Sequence, residues 1–463
     1  MKRIFSSQVK NFLDKEVTLC GWLSRKRDHG KVVFFDLRDK EGLVQLVFPV
    51  KNKEVFNQAK EMEKEWVVKV IGRVKKRPEG TENKNLVSGQ FEIEVKEVEV
   101  FSQAKTLPFS IEDDGYQIKE EIRLKYRYLD LRRERLRNNL FLKAKTTKVI
   151  RDFLEKNGFL EIETPYLSKS TPEGARDYLV PSRLEPGKFY ALTQSPQQYK
   201  QLLMVAGFEK YYQFARCFRD EDTRGDRQPE FTQVDLEVSF AEEEEEILTL
   251  VEKLILEIVN KVFPEKKIAK VPFPRITYQE AIEKFKTDKP NLSKEKNELS
   301  FCFIVNFPMF EKKKGKWEVT HHPFTLPKEK DPEKIKKNPE KILAYQYDLV
   351  LNGEEIGGGS LRSFQPEILE AVFEVIGYPK RETRKQFGHL LEAFKYGVPP
   401  HGGIAFGLER LLATILGEKS IREVMAFPKT GEGRDLMMGA PSSVSENQLK
   451  ELSIKIIENK KKK

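Results

Sequence analysis

The sequence predicts an α+β protein, a small N-terminal β-barrel followed by a larger domain in which an antiparallel sheet is flanked by helices. Three observations carry this reading. The N-terminal part holds five Val-, Phe- and Leu-rich segments separated by Gly, Asp and Pro, as expected of short strands joined by turns. Residues 216–240, RCFRDEDTRGDRQPEFTQVDLEVSF, alternate apolar and polar side chains on both sides of a charged, Gly-containing loop, which is a hairpin pattern. Stretches such as ILTLVEKLILEIV place their apolar residues at helical spacing. A chain of 463 residues is long enough for two or three domains with real cores. We divide it into a barrel over 1–103, a hinge or linker over 104–130 and a main domain over 131–463.

The barrel strands fall near 16–26, 31–38, 42–49, 65–76 and 90–101, and five such strands suit an OB-fold. Within VVFFDLRD, Val33, Phe35 and Leu37 share one face, which leaves Phe34 and Asp36 on the outside. An outward aromatic is either ordinary surface or a platform for a base. Arg25, Lys26, Arg27 and Gln45 lie on the same or neighbouring strands and could supply cations and edge hydrogen bonds to single-stranded RNA.

After the linker, Leu136, Leu140, Ala144 and Thr147 recur at helical spacing, and Asn157-Gly158 stops the helix. FLEIETPYL follows as a strand ended by Pro165. In the hairpin, Val234, Leu236, Val238 and Phe240 form an apolar face, while Gln233, Asp235 and Glu237 form the opposite one with Arg219 and Glu221 nearby. That polar face is either a set of exposed ion pairs or a place for chemistry. The acids Glu242 to Glu246 open the next helix, where its dipole favours them. Further on, Asn352-Gly353 signals a two-residue hairpin turn. Antiparallel strands on either side would bring Asp348 and Glu355 to one Mg²⁺, a hard cation held by carboxylates and phosphates. Finally HGGIAFGLERLLATIL reads as a glycine-rich strand running into a helix, with Arg410 near the junction.

Composition bounds the function class. No run approaches the roughly 20 apolar residues of a membrane span, and the first residues lack the apolar core of a signal peptide, so a cytoplasmic protein without a membrane partner is expected. Cys20, Cys217 and Cys302 are scattered without metal or disulfide spacing, so neither zinc nor a disulfide is expected. A net charge of +10 suits a polyanionic partner, and Lys460 to Lys463 read as a solvated tail. There is no GxxxxGK[ST] phosphate loop, since the GGGS run leads into LR.

FRDED followed by RxDRQPEF resembles motif 2 of the class II aminoacyl-tRNA synthetases, and the wider wording resembles their aspartyl branch. The helix and strand ending at Pro165 resemble motif 1, which builds a dimer interface in that class, and HGGIAFGLER resembles motif 3. The resemblance runs from about residue 1 to residue 447. It implies ATP-dependent attachment of L-aspartate to tRNA through an aspartyl-adenylate, by a homodimer using Mg²⁺. For chemistry it implies Arg219 bridging the carboxylate and the α-phosphate, Arg410 on the γ-phosphate, and Asp348 and Glu355 on the metal. It gives Asp220, Glu221, Gln228, Gly407, Leu408 and Glu409 as further ATP-site positions. For aspartate it implies Lys200 and Arg362 on the side-chain carboxylate and Asp235 orienting the lysine. Ser195 and Gln197 lie beside them, Glu173 meets the ammonium, and His321 serves as pocket residue and gate, with His322 as its neighbour. In the barrel, Arg27, His29, Phe34, Gln45 and Gly80 are implied to face the anticodon. His29 and Gly80 match relatives that accept both tRNA(Asp) and tRNA(Asn).

Two departures stand out. The inserted domain that bacterial-type relatives carry between their DKP and HHPFT segments is missing, about thirty residues standing in its place, and GLER replaces the commoner GLDR. Three rival readings follow from the same residues. An asparaginyl enzyme is disfavoured by two cations, an RNA-independent amide ligase by the N-terminal barrel, and a noncatalytic RNA-binding paralogue by the presence of Arg219, Arg410 and Glu355.

Overall fold

The computed structural model describes residues 2–171, 174–222, 225, 227–295 and 297–457. Glu173 and Lys460 to Lys463 lie outside the described residues. The chain forms two compact units, Met1–Ser110 and Ile111–Lys463.

In the first unit, strands β1 (Glu16–Asp28), β2 (Val32–Arg38), β3 (Leu43–Pro49), β4 (Val67–Lys76) and β5 (Phe91–Ser102) close into a barrel of order β1-β2-β3-β5-β4. Val33, Phe35 and Leu37 are fully buried with Leu19, Val44 and Leu46, so strand alternation fills the interior as the sequence predicts. The sequence reading did not include a helix between the third and fourth strands. Lys53–Glu61 forms one, and buries Val55, Phe56 and Ala59 against the barrel.

The second unit is built on an eight-stranded sheet. Its strands run in the order Arg275–Thr277, Phe301–Val305, Gln346–Leu351, Glu354–Leu361, His401–Gly407, Glu230–Ser239, Lys210–Phe218 and Leu160–Glu161. The inner pairs are antiparallel; the pair at each edge is parallel. One face packs on the helices Glu134–Lys156, Glu244–Val262 and Leu408–Leu416, burying Val234, Leu236, Ile404 and Phe406 completely. The other face packs on the helix Tyr278–Phe285 through Cys302, Ile304 and Val350, and carries a cavity over its central strands.

Several expectations change in detail. Residues from 111 onward belong to the second unit, and the expected linker is folded over 120–125 and 127–130. Arg123, Arg127 and Arg133 surround the fully buried Asp130 there, at 3.0, 2.8 and 2.7 Å. The helix Glu134–Lys156 ends as expected, with Gly158 at φ 82°, yet it buries Leu136, Asn139, Thr146, Val149, Ile150 and Leu154 rather than the row through Ala144, which is exposed. Polar Asn139 lies inside because its amide donates to Glu418 (2.6 Å) and to the Glu423 carbonyl (3.2 Å). The strand before Pro165 shortens to two residues. Phe240 leaves the apolar face of the hairpin, with φ 60° and 61% exposure, because the strand stops at Ser239. Among the described residues no helix is long and apolar enough to cross a membrane.

Candidate active site

A cavity of about 400 Å³ opens on the polar face of the sheet. Antiparallel pairing sets Asp235 opposite Ala405 and Glu237 opposite Gly403, so both acids of the hairpin meet the glycine-rich strand. A side chain at Gly403 would collide with the Glu237 carboxylate; the glycine makes room for that acid.

The most buried part is a charge cluster. Lys200, on the helix Gln197–Val205, reaches Asp235 at 2.8 Å and Glu237 at 3.1 Å. Arg362 grips Glu237 through Nε and Nη2, at 2.8 and 3.1 Å. Its remaining bonds go to Ser360 Oγ (2.7 Å), His322 Nε2 (2.8 Å) and the Gly403 carbonyl (3.2 Å). All four ionic groups are nearly inaccessible, a setting in which charges persist only when paired. Burial alone would push the Glu237 carboxyl up, but Arg362 and Lys200 outweigh it and hold it at about 2.

Glu237, which was placed on the right face but given no role, is therefore the hub of the pocket. The alternation of the strand carried that signal. His322, read as the lesser of the two histidines, is the one that touches Arg362. His321 stacks beside it with ring centres 4.5 Å apart and stays open to the cavity. The enclosing protein and the Arg362 charge keep its imidazole neutral, below the usual histidine value.

Arg219 also lines the cavity, and its guanidinium lies 5.1 Å over the Phe231 ring. Among the described residues it makes no ion pair. Ser195 and Gln197 line the same wall; the Gln197 amide donates to Gln201 at 3.1 Å. Glu221 lines the rim and accepts from Arg227 at 3.0 Å.

Across the cavity lie Glu355, Lys289 and Arg410. Lys289 is 2.7 Å from Glu355, and Arg410 donates to the Glu355 carbonyl at 2.9 Å. The Asn352-Gly353 turn has both residues at positive φ, 50° and 91°, as a tight hairpin requires. A bulge between Leu349 and Val350 sets Asp348 opposite Gly358 and Glu355 opposite Val350, so the two acids are not register partners. They remain electrostatic neighbours: burial, followed by the Glu355 charge, holds the Asp348 carboxyl well above the usual range. Asp348 Oδ1 is buried without a hydrogen bond in the protein. A Cβ at Gly358 would stand 2.7 Å from that oxygen, so the glycine leaves space beside it. Two carboxylates, one with an unsatisfied oxygen, fit a hard divalent cation completed by phosphate and water.

The other expected ATP-site positions divide: Gln228 and Glu409 line the cavity, while Leu408 and Asp220 do not. Leu408 is buried in the core. Gln228 lies at the rim, but its amide is bonded at both ends to the Lys429 backbone, at 3.1 and 2.7 Å. Asp220 is not on the cavity wall; its N–H donates to the Arg176 carbonyl at 2.9 Å. Glu409 directs its carboxylate to Lys143 (2.6 Å) and to the Thr232 N–H (3.0 Å). Gly407 lines the cavity as expected. Lys289 and Phe231 were missed. Lys289 sits in a loop without periodic pattern, and Phe231 was hidden by its place at the strand start.

On the barrel, Arg27 forks onto Asp36 at 2.8 and 3.2 Å and reaches Gln45 at 3.2 Å, and Gln45 donates to Glu92 at 2.8 Å. Phe34 stands outside, half-buried, with the His29 ring edge-on to it at 5.7 Å. Gly80 takes φ 82° on an open loop. Lys26 is a correction: its ammonium caps the helix Lys53–Glu61 by donating to the Lys60 and Met62 carbonyls at 2.8 and 2.7 Å. It is not available to a strand of RNA on the Phe34 face.

Two stretches of the chain match known families. Residues 17–101 match the OB-fold nucleic acid binding domain, and residues 119–431 match the tRNA synthetases class II (D, K and N). The chain belongs to that class II synthetase family. Among curated relatives it is 41% identical to an aspartate-tRNA(Asp/Asn) ligase of Syntrophomonas wolfei, over 97% of this chain and 98% of that protein. A second ligase of that name, from Hydrogenobaculum sp., is also 41% identical, over 96% and 98% of the two chains. The first of these alignments spans 577 positions, so the relative carries residues that have no counterpart in 463. Among solved structures, the asparaginyl-tRNA synthetase of Pyrococcus horikoshii in complex with asparaginyl-adenylate superposes with a TM-score of 0.75 at 26% identity. That match covers 93% of this chain and 98% of that one. The aspartyl-tRNA synthetase of Entamoeba histolytica, at 23% identity over 92% and 91% of the chains and TM-score 0.73, shares the fold.

Proposed function

We propose that the chain joins L-aspartate to tRNA(Asp) and tRNA(Asn), consuming ATP and passing through aspartyl-adenylate. The observation that carries this reading is the buried Lys200 and Arg362 pair, facing a cavity that also presents Arg219 and Arg410. A substrate carboxylate loses its hydration on entry, and paired cations are the groups that replace it. Arg362 already directs its donors to Glu237, Ser360, His322 and Gly403. An incoming carboxylate therefore competes with His322 or Ser360 for Nη1, while Lys200 turns toward it from Asp235 and Glu237.

In the first step a carboxylate oxygen of aspartate attacks the α-phosphorus of ATP, and the bond to the β-phosphate oxygen breaks. Arg219 offsets the repulsion between the two anions, and Arg410 holds the far phosphates. Asp348 and Glu355 would hold a divalent cation, Mg²⁺ by their oxygen donors, which would further neutralise the leaving pyrophosphate. In the second step a terminal ribose hydroxyl of the tRNA attacks the acyl carbon and AMP leaves. No side-chain nucleophile is needed; positioning and fixed charge do the work. Glu173 is retained as the proposed partner of the substrate ammonium. On the barrel, Arg27, His29, Phe34, Gln45 and Gly80 are proposed to read the anticodon. The enzyme is placed in the cytoplasm, with its ATP and tRNA.

The decisive experiment is ATP–pyrophosphate exchange with aspartate and with asparagine, followed by charging of purified tRNA(Asp) and tRNA(Asn) with labelled aspartate. Exchange should require aspartate, and both tRNAs should be charged. Equal exchange with asparagine would overturn the reading.

The homodimer is part of the same proposal, through the helix Glu134–Lys156 and the segment that follows it. Leu136 and Phe159 are buried within the chain and cannot meet a partner. Phe141, Leu160, Tyr166 and Leu167, from the same helix and strand region, are 40–54% exposed and offer an isologous patch. Light scattering should report about twice the 54.0 kDa chain mass.

A further inference from the structure

We propose that Lys289 is a catalytic residue with two successive counter-charges: Glu355 in the ligand-free chain, then the phosphates of the leaving pyrophosphate. This rests on the reading of the cavity as an ATP site. The ammonium of Lys289 lies 2.7 Å from Glu355 Oε2. It therefore occupies one oxygen of a carboxylate that a divalent cation would also need. Close by, Asp348 is 8% exposed and leaves Oδ1 without a hydrogen bond. The ammonium pairs with Glu355, while the more buried Asp348 keeps one oxygen without a hydrogen bond.

A divalent cation resolves that imbalance, because its charge and coordination number satisfy both acids. The cation and the ammonium would then repel each other across that carboxylate, which favours release of Lys289. Its side chain can move: it is 41% exposed, and its segment lies between the helix Tyr278–Phe285 and the short strand Glu298–Leu299, outside regular structure. The cavity it lines is the one that holds Arg219 and Arg410. A lysine displaced into it meets the triphosphate as a mobile point charge, the role for which an ammonium on a flexible stem suits best. Held by Glu355 beforehand, the ammonium is stored at the site rather than lost to solvent.

The two roles have opposite signatures when Lys289 is removed. The test measures Mn²⁺ binding to the full-length protein without nucleotide, by the resonance of free Mn²⁺, for wild type, Lys289→Met and Lys289→Gln. It adds ATP–pyrophosphate exchange for the same proteins and Glu355→Gln as the control for the site. Without its competitor, Mn²⁺ should bind each Lys289 variant about fivefold tighter or more, a gain that Glu355→Gln abolishes. In exchange, the KM for ATP should rise about fivefold or more while the KM for aspartate stays within twofold. A lysine that merely braces the loop would weaken both. Unchanged or weaker Mn²⁺ binding, or an unchanged KM for ATP, overturns the proposal. If the wild type shows no aspartate-dependent exchange, the functional reading fails instead, and the Mn²⁺ result alone decides the counter-ion half.

Discussion

Glu237 shows what a single carboxylate can hold together. It receives both cations of the pocket, so removing its charge strands the buried Arg362 and leaves Lys200 with Asp235 alone. Glu237→Gln should cost about 3–5 kcal/mol of stability at pH 7, the range for breaking a buried pair. The pH dependence has a definite sign. Burial opposes ionisation, yet Arg362 and Lys200 lower the carboxyl from its ordinary 4.5 to about 2. A depressed carboxyl binds protons less readily folded than unfolded, so its contribution is complete above pH 4.5 and disappears as pH falls toward 2. The gap between wild type and Glu237→Gln in thermal unfolding should therefore be constant near neutrality and close between those two values. A gap that stays open at pH 2 would show that the carboxylate is not what the cations depend on.

Between elements, Glu409 plays the corresponding part. It sits at the start of the helix Leu408–Leu416, takes Lys143 from the helix Glu134–Lys156, and takes the Thr232 N–H from the strand Glu230–Ser239. Three elements are fixed by one acid, which also lines the cavity beside Arg410. Glu409→Gln should keep an acceptor for Thr232 but leave Lys143 unpaired, slowing exchange at low ATP by about tenfold, or 1.4 kcal/mol. Adding Lys143→Met should recover most of that loss; additive losses would show that the pair does not act as a unit. The sequence made the elements legible and their internal partnerships much less so. Barrel strands and the hairpin face could be read because period-two alternation reports directly which side is apolar. The buried face of the helix Glu134–Lys156 could not, because Asn139 and Thr146 are inside, and hydrophobic periodicity is blind to polar burial. The Asp130 cluster was read as linker for the same reason: a run of arginines looks solvated until its acid is found. Arg362, Lys200 and Arg410 were found through motif context, whereas Lys289 had neither motif role nor period to mark it.

At the scale of the whole chain, each unit has its own core: the barrel cluster runs from Ile4 to Val95, and the sheet with its helices forms another from Val149 to Met425. Every described residue that lines the cavity lies in the second unit. Changes on the outer face of the barrel should then alter which RNA is accepted without altering adenylate formation. His29 is the informative position. Its ring stands edge-on to Phe34, 5.7 Å away, just past the end of β1, whose Arg27 forks onto Asp36 of β2. Leucine there keeps an apolar contact with Phe34 but removes the polar ring nitrogens and the planar shape. The anticodons of tRNA(Asp) and tRNA(Asn) differ at one base, so selection between them rests on a few kcal/mol, with about 1.4 kcal/mol per tenfold. His29→Leu should lower kcat/KM for charging tRNA(Asn) by about tenfold relative to tRNA(Asp), a change of that size. Aspartate-dependent exchange in the same variant should match wild type. Equal losses for the two tRNAs would mean that His29 supports the barrel surface without selecting between anticodons, and a loss of exchange would mean that the two units are not energetically separate.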